Sequence, residues 1–258
     1  MSIITIAAQK GGVGKTTVAV NLAAALTQIG KTVLLVDTDP QGNATDTVGA
    51  VIDDTATLYD LLTCQCTVNE VIQHIGETDI IAADPLLSSI ETALAGVIGK
   101  EYRLRDALGA IAGRYDYIII DTPPQIGLLL LNALTAADEV IIPFTADRYA
   151  LAGIAQLADT IRSTHHYLNP SLRILGLLGS MVRERERLTR EVAETLPEIA
   201  NQLGTQVFAT TIRKAMGVRT AQAERHSLFN GQTKYSVATY DFIQLAHEIN
   251  KMEEMNNG

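Results

Sequence analysis

The chain has 258 residues, 47% of them hydrophobic and only 5% aromatic, with no tryptophan, so it can bury a core without a disulfide or metal staple. Twenty basic against 29 acidic side chains give a net charge of -9 (20 - 29), which excludes a protein that holds nucleic acid by its overall charge and leaves only a local patch for such contact. Cys64 and Cys66 are the only cysteines, and they lack the second pair that a tetrahedral metal site needs.

Residues 3–8 (IITIAA) read as a buried strand, with no basic run before it that would make a signal peptide. The glycine-rich loop QKGGVGKTT follows, then a helix carrying Val18, Leu22, Ala25, Leu26 and Ile29 at helical spacing and ended by Gly30. TVLLVD is the next strand, fully apolar until its last residue. Short helices are expected within 57–75, a strand at 79–83, and helices near 86–97 and 101–112. Strands at 115–121 and 139–143, a helix at 149–167 and a strand at 173–179 come next. The last third predicts a helix at 188–203, a short strand at 206–210 and a closing helix over 237–255. No apolar run reaches the roughly 18 residues of a membrane span. Such alternation predicts an α/β fold, a doubly wound and mostly parallel sheet with helices on both faces, and the lack of repeats or linkers predicts one domain over 1–258.

Three segments carry the chemistry. Lys10, Gly11, Gly12, Val13, Gly14, Lys15, Thr16 and Thr17 lie between a strand and a helix, where backbone amides and a helix N-terminus enclose a polyphosphate. Lys15 is placed to reach the β and γ phosphates and the Thr16 hydroxyl to ligate Mg²⁺, while Gln9 stands where the ordinary consensus has glycine and Lys10 adds a second cation. Asp37 and Asp39, in DTDPQGN, follow the second strand and fall on one side of it if the strand persists that far. YDYIIID ends in Asp121, a carboxylate on a rigid strand aimed at a magnesium water shell, and Thr122, Pro123 and Pro124 fix the exit path.

These motifs resemble those of the ParA/MinD group of ATPases, the loop being similar to its deviant Walker A form and DTDPQGN and DTPPQIGLLLLNAL to its second and third motifs. Within the group the chain resembles the ParA/Soj-type partition ATPases, in the small form without an N-terminal helix-turn-helix, so operator-specific DNA binding is not expected. The resemblance implies an Mg²⁺-dependent ATPase and a dimer that sandwiches two ATP molecules, with Lys10 crossing to the partner's nucleotide. Lys10, Lys15, Asp39 and Asp121 would be the catalytic set. Asp39 would position the attacking water, and Asp37 would support the magnesium shell with Thr16 and Asp121. Residues 125–127 would form a nucleotide-responsive switch, with Asn132 on a helix surface or at the dimer interface. Residues 211–219 correspond in part to the group's second conserved region, which places Ile212 among the nucleotide contacts.

Charge is divided unevenly along the chain: residues 1–99 hold 3 basic and 11 acidic side chains, whereas 181–225 hold 8 and 6. Arg183, Arg185 and Arg187, with Arg213, Lys214 and Arg219, are the candidate DNA contacts. The alternation of arginine and glutamate over 183–191 fits a plain salt-bridged surface as well. The resemblance implies non-specific double-stranded DNA and a ParB-like centromere-binding protein as partners, and a cytoplasmic, nucleoid-associated location. The alternative is a ParA-like ATPase that positions another cargo, such as a division, chemotaxis or secretion complex. The acidic closing helix gives an anionic membrane little to hold, and residues 40–99 contain no Lys or Arg for a metabolite ligase's second substrate.

Overall fold

The structure, a computed structural model, describes residues 1–145, 147, 150–182 and 190–257, with side chains for all of these but 190–194, 256 and 257. In chain order they form β1 (Ser2–Ile6), α1 (Lys15–Gln28), β2 (Val33–Asp37), α2 (Asn43–Val48), α3 (Leu58–Leu62), α4 (Val68–Val71), β3 (Ile72–Ile75) and β4 (Thr78–Ile81). Next come α5 (Ile90–Ala93), α6 (Arg103–Gly109), β5 (Tyr117–Asp121), α7 (Leu128–Ala136), β6 (Glu139–Phe144), α8 (Ala150–Tyr167) and β7 (Arg173–Gly179). The chain closes with α9 (Arg190–Gln202), α10 (Met216–Ala223) and α11 (Val237–Asn257), and short 3-10 turns occupy Pro85–Ser89, Lys100–Tyr102 and Gly231–Tyr235.

The seven strands lie in the order β3-β4-β2-β5-β1-β6-β7, all parallel except β3, which runs antiparallel to β4. Alternate residues of the fully buried strands feed two cores. Leu34, Val36, Ile118 and Ile120 pack with α3, α6, α7 and α8 on one face. Ile4, Ile6, Leu35 and Ile119 pack with α1 and α11 on the other. The register places Asp37 opposite Asp121, and Ile6 opposite Asp121 on the other side. Their parity with Leu35 and Ile119 turns both carboxylates to the α1 face, at the carboxyl ends of three adjacent strands where open α/β sheets bind ligands.

The structure departs from the expected elements in four places. The helical reading of 57–75 ends at Val71: Ile72 and Ile75 keep the i, i+3 spacing of a helix, but they pair with β4 across a turn made by Gly76 at φ +60°. The helices expected at 86–97 and 101–112 are present but short, as α5 and α6, each entered through a 3-10 turn, and the first ends before Gly96 and Gly99, which both adopt positive φ. The strand expected at 206–210 contributes a single bridge, Val207 to Leu177 on the β7 edge. The helices α2 and α10 had no sequence expectation. Among the described residues no helix is long and apolar enough to cross a membrane.

Candidate nucleotide site

The carboxyl edge of β1 runs into the loop, and the loop into α1, whose N-terminus is formed by Gly14 at φ +89°. A side chain there would be strained by the left-handed backbone and would sit 3.1 Å from the Ser180 hydroxyl and 3.2 Å from the Met181 methyl. Glycine therefore lets the loop close against the end of β7. The loop divides between two sides. Gly11, Gly12, Gly14, Lys15, Thr16 and Thr17 line an open cleft of about 880 Å³, which is completed by Asp39, Pro40, Gln41, Asn43, Asp46, Thr47, Leu87, Ser88, Ile90, Glu91, Pro123 to Leu129, Met181 and Gln222. Gln9, Lys10 and the buried Val13 instead face Pro143, Phe144 and Thr145. The Lys10 ammonium pairs with Asp147, which also accepts a hydrogen bond from the Thr145 hydroxyl.

Among the described residues Lys15 is the only Lys or Arg lining the cleft, and it makes no ion pair. Burial pushes its pKa down, opposed by the charges of Asp121 and Asp39. Beneath the cleft lie Asp37 and Asp121, both fully buried. Asp37 accepts hydrogen bonds from the Thr45 amide (2.9 Å), the Thr45 hydroxyl (2.8 Å) and the Asp39 amide (3.0 Å), yet burial still pushes its pKa up to about 6. Asp121 is pushed well above the ordinary carboxylate range, first by burial and then by Asp37, with Thr16 and Lys15 opposing. Neither oxygen of Asp121 has a hydrogen-bond partner of good geometry among the described residues. A buried, bare carboxylate under a loop carrying a free ammonium and a threonine hydroxyl fits a hydrated divalent cation held mainly by phosphates. No cluster of three or more His, Cys, Asp or Glu among the described residues forms a protein-only metal cage, and magnesium bound with a nucleotide needs none.

Asp39 is buried at the cleft wall and accepts from the Gln41 amide at 3.0 Å, which makes DPQG a tight turn. Asp39, Lys15 and Thr16 thus converge on the cleft, with Asp121 and Asp37 behind them. Ile212 does not line it: its side chain is buried in the α1 and α11 core, and its amide donates to the Gly179 carbonyl. Arg213 is drawn to Asp241, which accepts from its amide and guanidinium at 2.7–3.1 Å, while Lys214 and Arg219 are exposed. Arg183, Arg185 and Arg187 lie outside the described residues.

One expectation is corrected. Asn132 is neither on a helix surface nor at an interface: it is buried, its carbonyl accepts from the Leu104 amide (3.1 Å), and its amide donates to the carbonyls of Lys100 and Leu128 (both 3.0 Å). Its polarity satisfies backbone groups left over between α6 and α7. Sequence reasoning also missed Gln222, whose amide reaches the Thr17 hydroxyl at 3.3 Å from 205 residues away, and Glu91 in the cleft wall. Neither stands in a local pattern that singles it out.

A family profile described as an AAA domain matches residues 1–174. The sporulation initiation inhibitor protein Soj of Bacillus subtilis is 44% identical over 227 residues, covering 87% of this chain and 88% of its own. The chromosome partitioning protein ParA of Myxococcus xanthus is 43% identical over 213 residues, covering 81% and 74%. The chain belongs to the ParA/MinD family of P-loop ATPases. The family fold agrees with a crystal structure of cobyrinic acid a,c-diamide synthase from Mycobacterium smegmatis with bound ATP analogue and magnesium, at TM-score 0.82 and 31% identity over 96% of this chain and 93% of that one. Family membership supports nucleotide binding and, in general, nucleotide hydrolysis for this chain. The loop is of the deviant Walker A type, with Lys10 as its additional lysine.

Proposed function

We propose that the chain is an Mg²⁺-dependent ATP hydrolase of plasmid or chromosome partition, built as one ATPase domain over residues 1–258, and that two copies close face to face on two ATP molecules. The observation that carries this reading is the division of the loop. A triphosphate bound with Mg²⁺ remains anionic, and among the described residues the cleft offers it only Lys15, while Lys10 is turned to Asp147 on the other side. A second cation supplied by a facing copy completes the charge. Gly11 agrees, because a side chain added there would meet nothing within 4 Å among the described residues, which leaves the nucleotide or a facing copy as the neighbour that requires glycine.

In this reading Lys15 holds the β and γ phosphates and lowers the charge that builds on the transferring group. Magnesium, when bound, neutralises phosphate charge; Thr16 would hold it directly, and Asp121 and Asp37 its water shell. Asp39 orients the attacking water from the wall of the cleft. The exposed Lys214 and Arg219, with Arg183, Arg185 and Arg187, contact DNA phosphates without reading bases, weakly in one copy and more strongly when two copies are joined. A ParB-like protein is the stimulating partner, by similarity to relatives named for chromosome partition.

A metabolite ligase, the activity named for the similar cobyrinic acid a,c-diamide synthase, needs a second acidic substrate near the phosphates. The cleft provides no cation for one beyond Lys15. The test is the rate of ATP turnover alone, with duplex DNA of unrelated sequences, and with DNA plus the candidate partner. Stimulation by the combination is expected. A rate raised by a partner but indifferent to DNA would transfer the chain to another cargo, and a rate indifferent to both would contradict the partition reading.

A further inference from the structure

The cleft wall opposite the phosphate loop contains a contact that none of the sequence motifs anticipates. Helix α7, nine residues long, begins at Leu128 directly after the 125–127 segment, and its N-terminal residue, Gly127, offers no side chain to cap it. The cap comes from α5: Glu91 Oε1 accepts a hydrogen bond from the Leu128 amide at 3.1 Å. A carboxylate at a helix N-terminus satisfies an otherwise orphaned donor and sits favourably in the helix dipole.

The second observation concerns Gly127 itself. Its backbone, at φ -168° and ψ -173°, is extended and open to any residue, so conformation does not explain the glycine. Space does: a Cβ built there would lie 2.6 Å from Glu91 Oε1. A side chain at 127 and the Glu91 carboxylate cannot both hold that place, so one excludes the other. Beyond that contact, Asn132 locks α7 to α6 and its approach, so α7 itself is firmly seated.

We propose that Glu91 is a positioning residue for hydrolysis, holding the start of α7 and hence the cleft-lining segment Pro123–Gly127 in register with Asp39 and Asp121. The inference rests on the ATPase reading of this cleft. It assigns Glu91 no contact with nucleotide, so its loss should act on turnover rather than on binding.

Four variants test it in the full-length chain: E91A, E91Q, G127A and the double variant E91A/G127A. The readouts are kcat for ATP, the dissociation constant of a fluorescent ATP analogue, and amide hydrogen exchange over residues 125–130. E91A is expected to lower kcat about tenfold, within the range that small misplacements of reacting groups cost, with affinity within about twofold of wild type. Exchange at 125–130 should rise. E91Q keeps an oxygen for the Leu128 amide and should recover most of the rate. G127A evicts the carboxylate and should reproduce E91A, and because both changes remove one contact, the double variant should be no worse than E91A. Wild-type kcat in E91A, or multiplying losses in the double variant, would overturn the inference. Absence of turnover in the wild-type chain under every condition would instead overturn the ATPase reading on which it rests.

Discussion

The two ends of the parallel sheet treat their carboxylates in opposite ways. At the amino end, Asp138 accepts from the Ile3 amide (2.9 Å), Asp116 from the amide and hydroxyl of Thr32 (2.7 and 2.8 Å), and Glu139 is paired with Arg173 at 2.7 Å, although its second oxygen is bare. At the carboxyl end, Asp121 is fully buried with no hydrogen-bond partner of good geometry for either oxygen among the described residues, and Lys15 stands above it without an ion pair among them. One end uses charge to tie strands and loops together. The other holds charge that the free chain leaves unsatisfied, which is the mark of a site that a ligand completes. Stability and function are thus spatially separated along the same strands.

The largest expected effect tests the unsatisfied end. Lys15→Ala removes the cleft's own cation and should weaken ATP binding by about 3 kcal/mol, roughly a hundredfold, as read by titration calorimetry. Affinity near that of the wild type would break the assignment of the cleft.

Asn132→Ala and Asp121→Asn form a matched pair. Removing a buried polar group whose partners are all present should destabilise by about 2–3 kcal/mol and lower the Tm by about 6–10 °C. Asp121→Asn removes a bare buried carboxylate and should raise the Tm of the nucleotide-free protein by about 5 °C at pH 7.5, from relief of about 2 kcal/mol. The same substitution should cancel the Tm gained from Mg²⁺ with nucleotide. Equal destabilisation by both would erase the contrast between a buried polar group whose partners are present and one whose partners are missing.

The smallest effect is in the pH dependence, where Asp116 at the amino end and Asp37 and Asp121 at the carboxyl end have opposite signs. Asp116 is held below the ordinary carboxylate range, chiefly by the Thr32 amide, so its contribution is present at neutral pH and is lost as pH falls through its lowered folded value. Asp37 and Asp121 are raised, so their contribution is greatest below the unfolded value near 3.8 and is lost as pH rises, through about 6 for Asp37. Asp116→Asn should therefore cost stability at pH 7 and little at pH 3, and the gain from Asp121→Asn should grow between pH 4 and 7.5. Denaturant midpoints at these pH values check both signs.

Much of the site was legible in sequence because its chemistry is local. The loop, the aspartates after β2 and Asp121 each sit at the end of a recognisable strand, and strand register then brings them together without further information. What escaped the sequence depends on long-range packing. Glu91 and Gln222 acquire meaning only from Leu128 and Thr17, which lie 37 and 205 residues away. Asn132 was visible as an odd polar residue in an apolar run, but its role required knowing that α6 would leave backbone groups unsatisfied there. The β3 strand was hidden because its two apolar residues, Ile72 and Ile75, stand three apart, the spacing of a helix rather than the alternation of a strand.

The division of the loop leads to the most direct test, the molecular mass of wild type and Lys10→Ala by light scattering with ATP and Mg²⁺, with ADP and without nucleotide, alongside ATP affinity. The account expects the wild type to double its mass with ATP alone, and Lys10→Ala to bind ATP with near wild-type affinity yet keep the mass of one chain. A Lys10→Ala protein that dimerises with ATP as the wild type does, or a wild type that turns over ATP while remaining a single chain, would contradict it.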